Sequence, residues 1–190
     1  NVAPYSNVGT ATLTINPTTT GLSGNYYRCV VTGTCTPPAT SNPALLTVNS
    51  SVTVTGNPSD QTICEGTGTS FTAAASGSGL IFQWEVSTNG GSTWNNVVNN
   101  ANYAGATTPT LTLTNVPPTF NNYRYRNNIT SPPCTPGITT AATLTVNTFP
   151  VIISHPSNLT ICEGANSTFT VGATTGVGAL TYQWQFRQTP

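Results

Sequence analysis

The sequence predicts an all-β protein made of two-sheet antiparallel sandwiches in tandem. Three observations carry this. Short runs alternate polar and apolar residues, broken about every 8–12 residues by Gly, Pro, Asn or Ser, which is the spacing of a sandwich or barrel. No stretch has a helical period. The pattern also repeats: Cys-Glu-Gly at 64–66 returns at 162–164, 98 residues on. "LTI" at Leu13–Ile15 returns as "LTL" at Leu111–Leu113, and "LTVN" at Leu46–Asn49 returns at Leu144–Asn147, both at the same spacing. Two further matches carry small length changes: "YYR" ending at Arg28 with "NYR" ending at Arg124, and "FQW" at 82–84 with "YQW" at 182–184.

The elements follow in order. "DQTIC" reads as a strand, and Glu65-Gly66 turns the chain, because glycine accepts the backbone angles of a reversal. In "TSFTAAA", Phe71 and Ala73 share one face, since strand side chains alternate with period two. "LIFQWEVS" places Phe82 and Trp84 on one side. "TNGGST" is a hairpin turn, and "TWNNVV" returns from it. "TLTLTNV", "NYRYRNNI" and "AATLTVN" complete the unit. Proline and glycine fall between these runs, as strand-bounding residues should.

Composition limits the function. Charged residues make up 4% of the chain, against roughly 25% in an ordinary globular domain. The basic residues are Arg28, Arg124, Arg126 and Arg187, balanced by Asp60, Glu65, Glu85 and Glu163. A chain with zero net charge and no basic stripe does not suit nucleic acid, whose phosphates supply most of that affinity. No apolar run approaches the length of a membrane-spanning helix. His155 is the single histidine and no CxxC pair occurs, which argues against a Cys/His zinc site. Glu65, Glu163 and Asp60 are too few for a calcium cage. No nucleophile motif or carboxylate pair supports catalysis, so neither an enzymatic activity nor a cofactor is expected.

The residues "EG…F.A…QW…LTL…Y.Y…ATLTV" resemble the immunoglobulin-like fold. "ICEG", "YQWQ", "STNGGSTW", "YRCVVTGTC" and "ATLTVN" resemble more narrowly the tandem Ig-like repeats of large secreted Bacteroidota surface and adhesin proteins. The resemblance implies one complete domain over 52–147. It is flanked by 1–49, the C-terminal half of a domain (strands about D/E to G), and by 150–190, the N-terminal half of the next (strands A to C). It puts Trp84 and Trp184 at the buried strand-C position, and Tyr27 and Tyr123 at the tyrosine corner, with Phe71 and Phe169 completing the core.

The usual strand-B to strand-F disulfide is absent, because Ala73, Val171 and Tyr125 stand at those places. Cys29 at the strand-F place reads as a buried thiol. Cys64 and Cys162 precede A–B turns, while Cys35 and Cys134 lie between strands F and G, at the opposite pole of an Ig topology. Two pairings stay open. One joins neighbouring domains, Cys64 to the next equivalent of Cys35 and Cys162 to the next equivalent of Cys134. The other is Cys64–Cys134 within one domain, if the F–G segment folds back. Trp94, after the hairpin turn, packs across its own hairpin or against a neighbouring domain, or else stacks on a sugar.

The expected function is structural: a segment of an extracellular filament or surface stalk of head-to-tail domains, with copies of itself or adjacent repeats as partners. An adhesin or carbohydrate-binding module using Trp94, with glycans as partners, is the alternative. A further one is a non-covalent polymer whose chains complete each other's half-domains.

Overall fold

A computed structural model describes residues 2–176 and 179–188, so the outermost residues of both expected half-domains and part of the last one lie outside the described residues. By backbone contact the chain divides into two units. The first takes residues 1–53, 75–81 and 129–137, and the second takes 54–74, 82–128 and 138–190.

The core lies within residues 53–148. One sheet runs in the order Asn95–Asn96, Ile81–Ser87, Arg124–Ser131, Ala142–Asn147, Gln61–Cys64, with Cys134–Ile138 also paired to Arg124–Ser131. The other sheet runs Tyr103–Ala104, Thr110–Leu113, Thr69–Thr72. Phe71, Leu111 and Leu113 from the second sheet meet Trp84, Tyr125, Leu144 and Val146 from the first, all fully buried. Strict alternation produces this: in Arg124–Ser131 the buried residues are Tyr125, Asn127, Ile129 and Ser131. Phe71 stacks on Tyr125 with ring centroids 4.8 Å apart and tilts against Trp84 at 6.5 Å. Trp84 Nε1 donates to the Thr108 carbonyl at 2.9 Å, so the indole is buried with its one donor satisfied. These two sheets, facing each other across Trp84, form an immunoglobulin-like sandwich.

Three expectations need correction. The sheets are not wholly antiparallel: Ala142–Asn147 and Gln61–Cys64 run parallel, with Leu144 opposite Gln61 and Asn147 opposite Cys64. The segment between strands F and G is a strand over Cys134–Ile138, not a loop, despite its prolines. The fully buried tyrosine is Tyr125, while Tyr123 is half-buried at the core margin, stacked on Phe120 at 5.0 Å.

The remaining segments repeat this geometry. In the first unit Tyr5 pairs with Ile15 and Tyr26 with Leu45. Adding 98 gives Tyr103 with Leu113 and Arg124 with Thr143, the registers of the complete sandwich. The Tyr5 and Tyr27 rings lie 6.1 Å apart, as Tyr103 and Tyr125 do at 6.2 Å. The match of Tyr27 is therefore Tyr125, not Tyr123. Turn geometry recurs too. Asn7 and Gly105 both have positive φ, as do Gly24 and Asn122, so Asn and Gly exchange at positions that only they adopt readily. In the second unit Val151–Ser154 pairs with Gly172–Thr174, and Phe169 lies 6.5 Å from Trp184, the spacing of Phe71 from Trp84.

Burial does not recur. Trp184 is 52% exposed and Phe169 55%, where Trp84 and Phe71 are buried. Tyr27 is half-buried and Leu13 exposed. Cys29, expected to be buried, is exposed, because no second sheet covers its strand among the described residues.

Candidate functional site

Three features stand out from a surface of Thr, Asn and Ser: a charged aromatic cluster, the ends of the strands next to the linkers, and the open faces of the flanking segments.

The cluster gathers three of the chain's eight charged side chains. Arg126 Nε donates to Glu85 Oε2 at 2.7 Å, and its guanidinium lies 4.1 Å from the centre of the Trp94 ring. Trp94 Nε1 donates to the Gly91 carbonyl at 3.1 Å, and Arg124 lies against Gly91. Gly90 and Gly91 both have positive φ, which folds the hairpin tip back so that the indole lies over the sheet. One face of Trp94 and its only donor are thus used within its own hairpin and sheet. On the inward face of the strand that carries Arg126, Asn127 Oδ1 accepts from the Gln83 backbone N–H at 3.3 Å, while Asn127 Nδ2 is buried without a partner. Burial pushes the Tyr103 and Tyr125 phenols above the ordinary tyrosine value, and their hydroxyls lie 3.0 Å apart.

The linker contacts occur twice. In the first unit Ser50 bonds Ser78 through its N–H at 3.1 Å and its hydroxyl at 2.8 Å, and Ser131 donates to the Ser78 carbonyl. In the second unit Thr148, 98 residues after Ser50, accepts from Gly176 N–H at 2.6 Å, and Gly176 lies 98 after Ser78. Glu65 does more than turn the chain. Its N–H donates to the Asn147 carbonyl at 2.8 Å, and its Oε1 accepts from Phe149 N–H at 2.8 Å, clamping the outgoing linker. Gly66 then turns with φ +76° and Gly164 with +83°. Glu65 as a linker clamp was beyond sequence reasoning, since its partner lies 84 residues away.

The five cysteines carry no S–S bond. Cys64 is exposed and opposite Asn147 in the parallel ladder. In the first unit Cys134 Sγ lies 3.5 Å from the Asn49 carbonyl oxygen, and Asn49 Nδ2 donates to Pro132 O at 2.9 Å. Cys35 and Cys162 are exposed. Among the described residues no group of three or more His, Cys, Asp or Glu is placed to hold a metal, and no helix is long and apolar enough to cross a membrane.

A family model described as a domain of unknown function (DUF8696) matches residues 53–148. The chain belongs to that family. The matched span is the complete sandwich, so the DUF8696 unit contains the Trp94 cluster, Glu65 and Cys134 but neither flanking segment. Several solved structures are similar to the chain. A complex of titin M10 with obscurin-like 1 Ig is 15% identical, covering 55% of this chain and 100% of that one, with a TM-score of 0.44. DIP-gamma IG1+IG2 is 16% identical, covering 66% and 63%, at 0.46. Extracellular domains 3–5 of Drosophila OTK are 15% identical, covering 77% and 47%, at 0.42. No curated protein matches the chain.

Proposed function

We propose that the chain is a structural segment of an extracellular filament or surface stalk built from head-to-tail Ig-like domains. One complete domain spans about 52–147, with parts of its neighbours at 1–49 and 150–190. The recurrence of strand pairing and of linker contacts at a 98-residue offset carries this reading. A repeat that holds its linker residues in the same way each time suits an array of like domains. The near absence of charge suits such a role. Among the described residues one ion pair, Arg126–Glu85, is present, so salt has little to screen.

The alternative, a glycan-binding module that uses Trp94, asks for a free indole face. Arg126 occupies one face and Gly91 holds the donor. A sugar would have to bind the other face with the stack intact.

Antibodies raised against residues 52–147, used with gold labelling on intact source cells, test the structural reading. Label along thin beaded projections is the expected result. Label confined to the cell interior would overturn it.

A further inference from the structure

We infer that Asn89 is a self-modification site, at which the side-chain amide condenses with the Gly90 backbone nitrogen, loses ammonia and opens to an aspartyl or isoaspartyl residue, driven by the hairpin tip around it. Every group involved lies within residues 87–94, in the middle of the complete domain, so the site stands whatever the domain is part of.

Three requirements meet at the tip. The first is a nucleophile that can approach. Asn89-Gly90 is the chain's one Asn-Gly pair, and both residues are exposed. Glycine has no Cβ to hold its nitrogen away from the preceding side chain. Among the described residues the Gly90 N–H donates to no acceptor, so it is free to lose its proton to hydroxide. The second is a polarised carbonyl. Asn89 Oδ1 accepts from the Ser87 hydroxyl at 2.9 Å and from the Thr93 N–H at 2.9 Å. Negative charge develops on this oxygen as the ring closes, and donors already aimed at it stabilise that charge. Ser87 is itself held, being fully buried and accepting the Gly91 N–H at 2.8 Å. The third is help for the leaving group. Asn89 Nδ2 lies 2.8 Å from Thr93 Oγ1. Among the described residues the Thr93 hydroxyl proton has no acceptor, so it can turn onto the departing nitrogen. Asn100 is the contrast. Its Oδ1 also accepts two N–H groups, from Asn102 at 2.8 Å and Tyr103 at 3.0 Å, but the residue after it, Ala101, carries a Cβ.

The step needs no oxidant. The Gly90 nitrogen gives its proton to hydroxide and bonds to Asn89 Cγ, closing a succinimide ring. The Cγ–Nδ2 bond breaks, and the nitrogen leaves as ammonia with a proton from the Thr93 hydroxyl, which water restores. Water then opens the ring. Opening at Cγ leaves an aspartyl residue, and opening at the main-chain carbonyl leaves an isoaspartyl one. The net change is one water in and one ammonia out. Either product adds a negative charge to a chain of zero net charge and removes the Nδ2 donor that holds Thr93. An isoaspartyl residue also lengthens the backbone just before Gly91, whose carbonyl holds the Trp94 indole at 3.1 Å. Reaction at the tip therefore loosens the stack of Trp94 on Arg126.

The test incubates the 190-residue chain in heavy-oxygen water at neutral to mildly alkaline pH and maps its peptides by mass spectrometry. Heavy oxygen should enter at position 89 well before position 100, and the rate should rise with pH. The folded chain should react faster than the same chain unfolded in urea. Ser87→Ala and Thr93→Val should each slow the folded chain roughly fivefold, the worth of one hydrogen bond at the transition state. Thr93→Ser keeps the hydroxyl and should stay fast. In urea all four chains should react alike, which separates the contribution of the tip from any loss of folding. In a Trp184→Phe chain, where Trp84 is buried, acrylamide should quench tryptophan fluorescence more strongly after the reaction than before it. A folded chain that reacts no faster than the unfolded one overturns the proposal, because the tip would then hold Asn89 away from attack. Variants that react at the unmodified rate overturn the roles of Ser87 and Thr93. Quenching that does not change overturns the loosening of the stack.

Discussion

The segment before residues 53–148 uses their strand registers and the segment after them their strand pairing, yet among the described residues only the middle stretch has a buried core. Phe71 and Trp84 are 1% and 0% exposed, while Phe169 and Trp184, at the same mutual distance, are 55% and 52% exposed. Leu111 is buried and Leu13 is 42% exposed. Hairpins and aromatic pairs are local, so each half of the repeat can form them. Burial is not local, since it needs both sheets, and one sheet edge comes from each half. Domain stability therefore belongs to the joined halves, and every large effect of substitution should appear in the middle stretch alone.

The sharpest form of this comparison is Trp84→Ala against Trp184→Ala. Removing the indole at 84 empties the centre of the sandwich and should cost about 3–5 kcal/mol. The same change at 184 should stay within about 0.5 kcal/mol in dilute, unassociated chain. Urea titration followed by far-UV circular dichroism reads both. Equal losses would mean that the flanking segment has a core of its own.

Tyr125→Phe against Tyr27→Phe is next. The Tyr125 hydroxyl meets that of Tyr103 at 3.0 Å inside the core, and its loss should cost about 1 kcal/mol. Tyr27 makes the same contact with Tyr5, at 3.3 Å, half-exposed, and its loss should cost almost nothing. Alkaline pH widens the gap. Burial raises the Tyr125 and Tyr103 pKa values, so the fold holds these protons more tightly than the unfolded chain does. Stability should be level below the unfolded tyrosine pKa of about 10 and fall as pH rises beyond it. Tyr125→Phe should flatten part of that fall.

These pairs also show what was legible in the sequence. Alternation marked the strands, and "FQW" marked Trp84 as inward, because period two decides a face without help from the rest of the chain. The same rule cannot separate Tyr123 from Tyr125. They are two apart and share a face, and "YR" occurs twice in "NYRYR", so "YYR" at 26–28 fits the motif at either of two positions. The Cys134–Ile138 strand was hidden by Pro132, Pro133 and Pro136, which read as a loop until its hairpin partner is known. Cys29 reads as buried only if a second sheet is assumed. Trp94 remained open because its stack depends on Arg126, 32 positions later, and on two glycines that bend the tip.

Arg126→Ala against Arg28→Ala probes that stack. Arg126 touches both Trp94 and Glu85, and its removal should cost about 1 kcal/mol and alter Trp94 fluorescence. Arg28 holds the matching place 98 residues earlier, exposed and remote from any such pair in its unit, so its removal should leave stability unchanged. If Arg126→Ala creates saturable binding to a soluble oligosaccharide, the indole is a sugar platform that the guanidinium covers.

The smallest effect should fall on the linker, where Glu65→Ala is set against Glu163→Ala. Glu65 Oε1 accepts the Phe149 N–H, a charge-assisted bond at the rim of the fold that ties no core residue. Its loss should move global stability by only about 0.5 kcal/mol or less. The local consequence is larger than the global one. The Phe149 amide loses its acceptor, so its hydrogen exchange should speed up several-fold while core amides such as Trp84 stay slow. Glu163→Ala should change no amide in dilute chain, since among the described residues its carboxylate accepts no hydrogen bond. It should begin to matter only where a further repeat follows or a second copy docks. A Phe149 amide that exchanges equally fast with and without Glu65 would mean that the linker is held by Thr148 alone, through its bonds to Thr175 and Gly176.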